Sequence, residues 1–375
     1  MKKGFCLVFA LCLAIVMCGC GLTDNKPLPT GGNTQTNTTQ PGNQQTDTKI
    51  DLISVSVPAL TEDTKAEDGT VVFQYTYQHM SLVLHKPDVA DKIILNFLNR
   101  VDSTKDAATS NADAAKAAYT GQENWTPYLY HITYSPMRID HKVLSLFGNH
   151  VAYNGATHPE RTCVSASYDL LTGDVLTLAS IMSKDATVKE FCDLVLAGLT
   201  EMAEGDYLYE NYKDTVKNRF EADPALDENW YFTQTGLCFY FAPYEIAPYA
   251  SGVITVEIPY EKLSGLLHEA YQPEVRNAST GKITITPFEN ANISQYDNIA
   301  EIVVNNTGAM YMIQAEKSVQ DIRLICSDKA SNYTVFAAYG LCAGDGIMVQ
   351  AEDDMLQKLK LTYKSNNETV SMNIG

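Results

Sequence analysis

Five side chains have the types that chemistry needs: the histidines His141, His150 and His158 and the carboxylates Asp169 and Glu245. The histidines lack the spacing of a helical or knuckle-type zinc site and no paired cysteines join them, so neither a metal nor another cofactor is predicted. His158 precedes Pro159, where a loop-stabilising hydrogen bond is the simplest role. Glu245 lies between Tyr244 and Tyr249 in an apolar segment bounded by Pro243 and Pro248. A partly buried carboxylate there would have a raised pKa and could act as an acid or base. The competing role is structural, a pair with a tyrosine, a backbone amide or a basic side chain that fixes the loop. Glu245 with Asp169 or His158 is the constellation that would make a cell-envelope hydrolase. No nucleophile elbow, P-loop or dinucleotide-binding glycine pattern accompanies it. The expectation is a protein without catalysis, with that hydrolase as the alternative.

The elements that must position these residues centre on Phe147 to Leu178, FGNHVAYNGATHPERTCVSASYDLLTGDVLTL. Two alternating apolar runs flank a polar connection holding Asn154-Gly155 and His158-Pro159, and Thr172-Gly173 marks a second turn. Strand, loop, strand, turn, strand is the simplest reading. Upstream, Ile50 to Leu60 and Val71 to Leu84 read as strands, the second rich in aromatic and β-branched residues. Pro87 opens a helix whose apolar face recurs through Val89, Ile93, Phe97 and Val101. The Ala-rich stretch Ala107 to Ala118 continues as a helix without a large apolar stripe, which suggests a solvated or mobile segment. Trp125 to Ile139 is strand-like, with Pro136 marking a bulge or an edge. Helices are predicted within 181–202 and 209–220, then strands over 231–241 and 253–258 and a short closing helix over 261–271. Strands interrupted by helices give an α+β fold, an antiparallel sheet with helices packed on it. After a linker at 273–280, short apolar runs recur every 8–12 residues or so through 281–375, the pattern of a small all-β sandwich.

The chain has 375 residues, 27 of them basic and 45 acidic, for a net charge of -18. Nucleic acid and anionic lipid surfaces would repel such a chain, whereas basic partners would not. Lys2 and Lys3 precede an apolar run, Phe5 to Met17, too short for a membrane span, which needs about 20 residues. That run ends in Met17-Cys18-Gly19-Cys20-Gly21, which resembles a bacterial lipoprotein signal over residues 1–20 with Cys20 as the lipidated residue; an ordinary secretory signal is the competing reading. Residues 21–49 hold Thr, Asn, Gln, Gly and Pro with almost no aliphatic side chain, too little apolar surface to fold. As a flexible coil they would span roughly 30 Å, a tether between lipid and domain. These features predict a protein lipid-anchored through Cys20 to the extracytoplasmic face of a bacterial membrane. The five remaining cysteines, Cys163, Cys192, Cys238, Cys326 and Cys342, are an odd number, and only Cys326 and Cys342 suggest a bridge.

Across residues 50–272, Asn154-Gly155-Ala156-Thr157-His158-Pro159, Tyr168-Asp169-Leu170, Pro243-Tyr244-Glu245-Ile246-Ala247-Pro248-Tyr249 and Ile258-Pro259-Tyr260 together resemble the extracellular domain of RsiV-like anti-sigma factors, which sense lysozyme. The same motifs resemble the N-terminal, non-catalytic region of PdaC-type peptidoglycan deacetylases. The resemblance implies a surface module that binds lysozyme, another basic protein or a peptidoglycan fragment. It points to Asn154, Gly155, His158, Tyr244, Glu245 and Tyr249 as binding residues. The lipoprotein signal stands where a sigma-binding segment and membrane span would lie. The remaining chain is too short for the deacetylase barrel and lacks its paired-Asp and His-rich motifs. The 22 tyrosines are compatible with a binding face, since tyrosine offers a large contact area with a polar tip.

Overall fold

The computed structural model describes residues 51–202, 207–222, 228–288, 290–304, 308–327 and 332–374, which lie in one compact unit spanning 47–375. The expected signal at 1–20, the tether at 21–49 and Cys20 lie outside the described residues. The fold is α+β, 25% helix and 42% strand. No helix among the described residues is long and apolar enough to cross a membrane.

Strands β1 (Ser54–Ser56), β2 (Ala59–Lys65), β3 (Val71–Gln78) and β4 (Ser81–Val83) precede helices α1 (Pro87–Asp102) and α2 (Lys105–Ala118). Strands β5 (Tyr128–Ile139), β6 (Val143–Tyr153) and β7 (Glu160–Asp169) follow. The five-stranded sheet runs β2-β3-β5-β6-β7, antiparallel throughout except for the parallel β3–β5 pair. Pro136 sits at a register shift in β5, so the missing N–H is absorbed by a bulge. The apolar stripe of α1 (Val89, Ile93, Phe97, Val101) and the small residues Ala108 and Ala115 of α2 bury against Val72, Ile132, Tyr134, Leu144 and Leu146 of this sheet. α2 is thus held by alanines close to the strands, and its small side chains follow from that close approach.

The sheet's other face carries a second layer. After α3 (Leu178–Ile181), α4 (Val188–Met202) and α5 (Tyr212–Ala222) come β8 (Trp230–Phe232), β9 (Gly236–Phe241) and β10 (Ile254–Pro259), a three-stranded sheet with β9 in the middle. Leu237, Phe239 and Phe241 of β9 join Phe191, Val195 and Leu199 of α4 in one core, while Cys238 and Tyr240 turn the other way and pack with Phe147 and Tyr231. All six residues of β9 are buried, which is why GLCFYF lacks polar alternation. The stretch 231–241 is a hairpin rather than one strand, and 261–271 forms two 3-10 turns, Tyr260–Leu263 and Glu269–Tyr271, rather than a closing helix.

The remaining strands are β11 (Ile283–Pro287), β12 (Asn298–Val303), β13 (Ala309–Ala315), β14 (Val319–Ser327), β15 (Asn332–Leu341) and β16 (Asp345–Ala351). The short α6 (Asp353–Leu356), β17 (Leu359–Ser365) and β18 (Glu368–Asn373) complete the fold. A four-stranded sheet, β11-β13-β16-β12, faces a six-stranded one across a shared core that includes Ile302, Ile313, Leu324, Phe336 and Ile347. This is the sandwich-like arrangement expected from the spacing of the apolar runs.

The division at 273–280 needs a correction, because the six-stranded sheet runs β18-β17-β14-β15-β1-β4 and takes its last two strands from the N-terminal part. The run 71–84 is accordingly two strands in two sheets. Buried Gln78 ends β3: its Nε2 donates to Val57 O at 2.7 Å and its Oε1 accepts from Tyr134 N at 2.5 Å. β15 is buried on both sides, Ala337 and Tyr339 facing the α1/α2 core and Phe336 and Ala338 the sandwich core. Nor does 273–280 behave as a loose linker. Arg276 donates to Tyr339 O at 2.9 Å and to Asp321 Oδ1 at 2.5 Å, with its guanidinium 4.2 Å from the Tyr339 ring centroid. The five described cysteines remain thiols, so Cys326 and Cys342 do not bridge.

Candidate functional site

The loop between β6 and β7 turns at Gly155, where φ is +85°, and a Cβ there would stand 2.7 Å from the Tyr128 hydroxyl. Both the left-handed conformation and the close approach demand glycine. The loop then brings His158 onto the segment that leaves β9. The His158 ring stacks on Tyr249 with centroids 4.1 Å apart and 23° between planes. Its Nε2 is 3.1 Å from the Tyr244 hydroxyl, and the Tyr249 hydroxyl donates to Pro159 O at 2.7 Å. Tyr244 and Tyr249 are themselves 5.5 Å apart, so three rings from two distant stretches make one aromatic wall.

That wall bounds a cleft of about 720 Å³. Its floor is the end of the five-stranded sheet, where Tyr130, His150 and Thr162 lie on β5, β6 and β7, and its far side is Ala107 and Asn111 of α2. The register pairs His150 with Ile132 and Thr162, setting the three on one face of the sheet. Small residues on α2 leave open the space that large side chains would fill. Burial pushes the His150 imidazole down to about 4, and its Nε2 is enclosed without a hydrogen-bond partner among the described residues.

Of the six residues expected to bind, Asn154, His158, Tyr244 and Tyr249 line the cleft. Gly155 shapes the loop instead. Glu245 does not line the cleft. Its carboxylate pairs with Arg219 and its Oε2 accepts from Ala242 N at 3.0 Å, closing the turn in which Tyr244 N donates to Ala247 O at 3.0 Å. Arg219 in turn lies 4.6 Å over the Phe241 ring and donates to Tyr240 O at 2.9 Å. Glu245 is therefore the loop-fixing carboxylate of the two roles considered above.

Asp169 closes the opposite end of β7. It pairs with Lys142 and accepts from Leu171 N at 2.8 Å and from the Tyr271 hydroxyl at 3.4 Å. Nine strand residues separate it from the His158 loop, roughly 30 Å at about 3.3 Å per residue, so Asp169 shares no cleft with His158 or Glu245. The three histidines are likewise not one cluster: His141 contacts Glu274 at 2.9 Å and Asp51 at 3.3 Å. No group of three or more His, Cys, Asp or Glu side chains among the described residues is placed to hold a metal.

Sequence reasoning weighed His150 only as a metal ligand and passed over Tyr130, Asn111 and Arg161. The available signal was the alternation of β5 and β6, which sets Tyr130 and His150 on the helix-covered face. What was missing was that α2 leaves that end uncovered.

Residues 180–261 match the family model described as "Protein of unknown function (DUF3298)". This stretch is a DUF3298 domain. It holds α4, α5 and the β8–β10 sheet and so carries Tyr244 and Tyr249. Among solved structures, a DUF3298 family member from Bacteroides fragilis NCTC 9343 is 19% identical, with a TM-score of 0.44, covering 58% of this chain and 94% of its own. A DUF3298 family protein from Pseudomonas aeruginosa PAO1 is 14% identical, with a TM-score of 0.43, covering 60% of this chain and 99% of its own. No curated protein matches.

Proposed function

We propose that the chain is a non-catalytic binding protein, lipid-anchored through Cys20 at the extracytoplasmic face of a bacterial membrane, whose α+β module captures an extracellular protein or a cell-wall ligand. The observation that carries this reading is the meeting of Asn154, His158, Tyr244 and Tyr249 around one open cleft. Distant stretches singled out by their resemblance to RsiV-like and PdaC-like modules converge there. The two carboxylates that a hydrolase would need are each taken up by a cation, Glu245 by Arg219 and Asp169 by Lys142, at separate places. A charge of -18 favours a basic partner such as lysozyme and would speed its association in a salt-dependent way.

The test is titration of the 47–375 unit with lysozyme at low and high salt, and with soluble peptidoglycan fragments. Binding of lysozyme that weakens with salt, or binding of the fragments, supports the reading. Silence toward all of them overturns it.

A further inference from the structure

Three properties of the cleft go beyond what holding the fold together requires. Tyr244 has a left-handed φ of 71°, a conformation that bulky residues avoid and that glycine or asparagine would adopt at less cost. The residue is 57% exposed, so burial does little to offset that strain. Strain of this kind concentrates at ligand clamps. His150 lines the floor, and burial keeps its imidazole neutral, so the floor of the cleft carries an uncharged ring. The charge of the lining is balanced: it holds one cation, Arg161, and one carboxylate, Glu160, although the chain as a whole carries -18. A cleft built for a basic ligand would concentrate the acidic side chains that abound elsewhere.

We infer that the cleft binds an uncharged saccharide, with a pyranose face lying on the ring of Tyr244 beside Tyr249 and hydroxyl or amide groups meeting the side chains of Asn111 and Asn154. A sugar ring offers an apolar C–H face to an aromatic face and a rim of hydroxyls to polar groups, which matches a wall of tyrosines beside Asn111 and Asn154. The volume of about 720 Å³ lies within the range of about 300–1,000 Å³ usual for small-ligand sites and leaves room for a short oligosaccharide. This inference rests on the binding reading above and names its ligand as the glycan, not the peptide, of an envelope polymer.

The experiment is calorimetric titration of the 47–375 unit, which contains every described element and core, with the β-1,4-linked tetramer of N-acetylglucosamine. Lysozyme and free stem peptide are run in parallel. Binding of the tetramer that changes less than about twofold between low and high salt is expected, because no ion pair is formed. Tyr244→Gly should weaken it at least about tenfold without lowering Tm, and Tyr244→Phe, which keeps the ring, should stay within about threefold of the native protein. A Tyr244→Gly protein that binds normally, or that melts earlier because the ring was structural, overturns the inference. So does a native protein that ignores the tetramer. Should lysozyme or the stem peptide bind while the tetramer does not, the saccharide falls and the binding reading stands. Should none of the three bind, both fall.

Discussion

Arg138 and His150 are polar side chains carried on neighbouring strands of the same sheet, and the molecule treats them in opposite ways. Arg138 is 1% exposed and donates four hydrogen bonds. It donates to Asp140 Oδ2 at 2.6 Å, the Tyr260 hydroxyl at 2.7 Å and Tyr271 O at 2.8 Å, with Phe232 and Tyr260 rings against its guanidinium. A similar ionic knot closes nearby, where Asp321 takes Arg276 at 2.5 Å and Lys364 at 2.9 Å. His150, in contrast, keeps an enclosed nitrogen without a partner among the described residues, in the lining of the cleft that the strained and exposed Tyr244 bounds. Saturated networks fix the packing of the layers. The open end of the sheet, below the Tyr244 turn, is where a further molecule can lie.

The comparison breaks most visibly if the saturated region is opened. Arg138→Ala strands Asp140 and removes four donated hydrogen bonds, and should destabilise the fold by about 3–5 kcal/mol in denaturant titration. The folded fraction should bind ligand as before.

A pH titration sharpens the other side. The folded value of His150, about 4, lies below its ordinary 6.5, so between those values the unfolded chain binds the extra proton. Its contribution is complete above about 6.5 and is lost as pH falls toward 4, a change of up to about 3 kcal/mol. His150→Gln should flatten that part of the stability profile. The region around Arg276 behaves differently: the Arg276 and Lys364 charges outweigh desolvation and hold Asp321 below its ordinary carboxylate value, so its contribution persists to lower pH and disappears only as the pH falls through that depressed value.

Smaller effects follow. Gly155→Ala places a Cβ 2.7 Å from the Tyr128 hydroxyl in a left-handed turn and should destabilise by about 1–2 kcal/mol while displacing His158 and weakening binding. Lys189→Ala removes an exposed pair with Asp193 and should leave both the unfolding midpoint and binding unchanged.

Local features were legible in the sequence. Pro87 starts α1, Pro136 marks the bulge in β5, and Asn154-Gly155 marks the loop that bears His158. Four of the six expected binding residues reach the cleft because the motifs that named them are loops delivered by the two packed sheets. What sequence could not show was long-range pairing. Nothing in Ser54–Ser56 or Ser81–Val83 announces that these strands complete a sheet whose other strands start only at β14, at Val319. The polar look of 273–280 hid Arg276, whose partners Tyr339 and Asp321 lie far along the chain. The alanines of α2 read as weak specification, whereas Ala108 and Ala115 set its close approach to the sheet. The role of His150 depends on what α2 leaves uncovered, a property of packing rather than of any motif.

The central claim is that binding happens in the cleft between the His158 loop and the Tyr244 turn. The direct measurement is nuclear magnetic resonance of imidazole-labelled 47–375 during titration with a soluble peptidoglycan digest. The account predicts that the His150 and His158 signals move together and saturate while those of His79 and His268 stay in place. Binding that leaves His150 and His158 unmoved would contradict it.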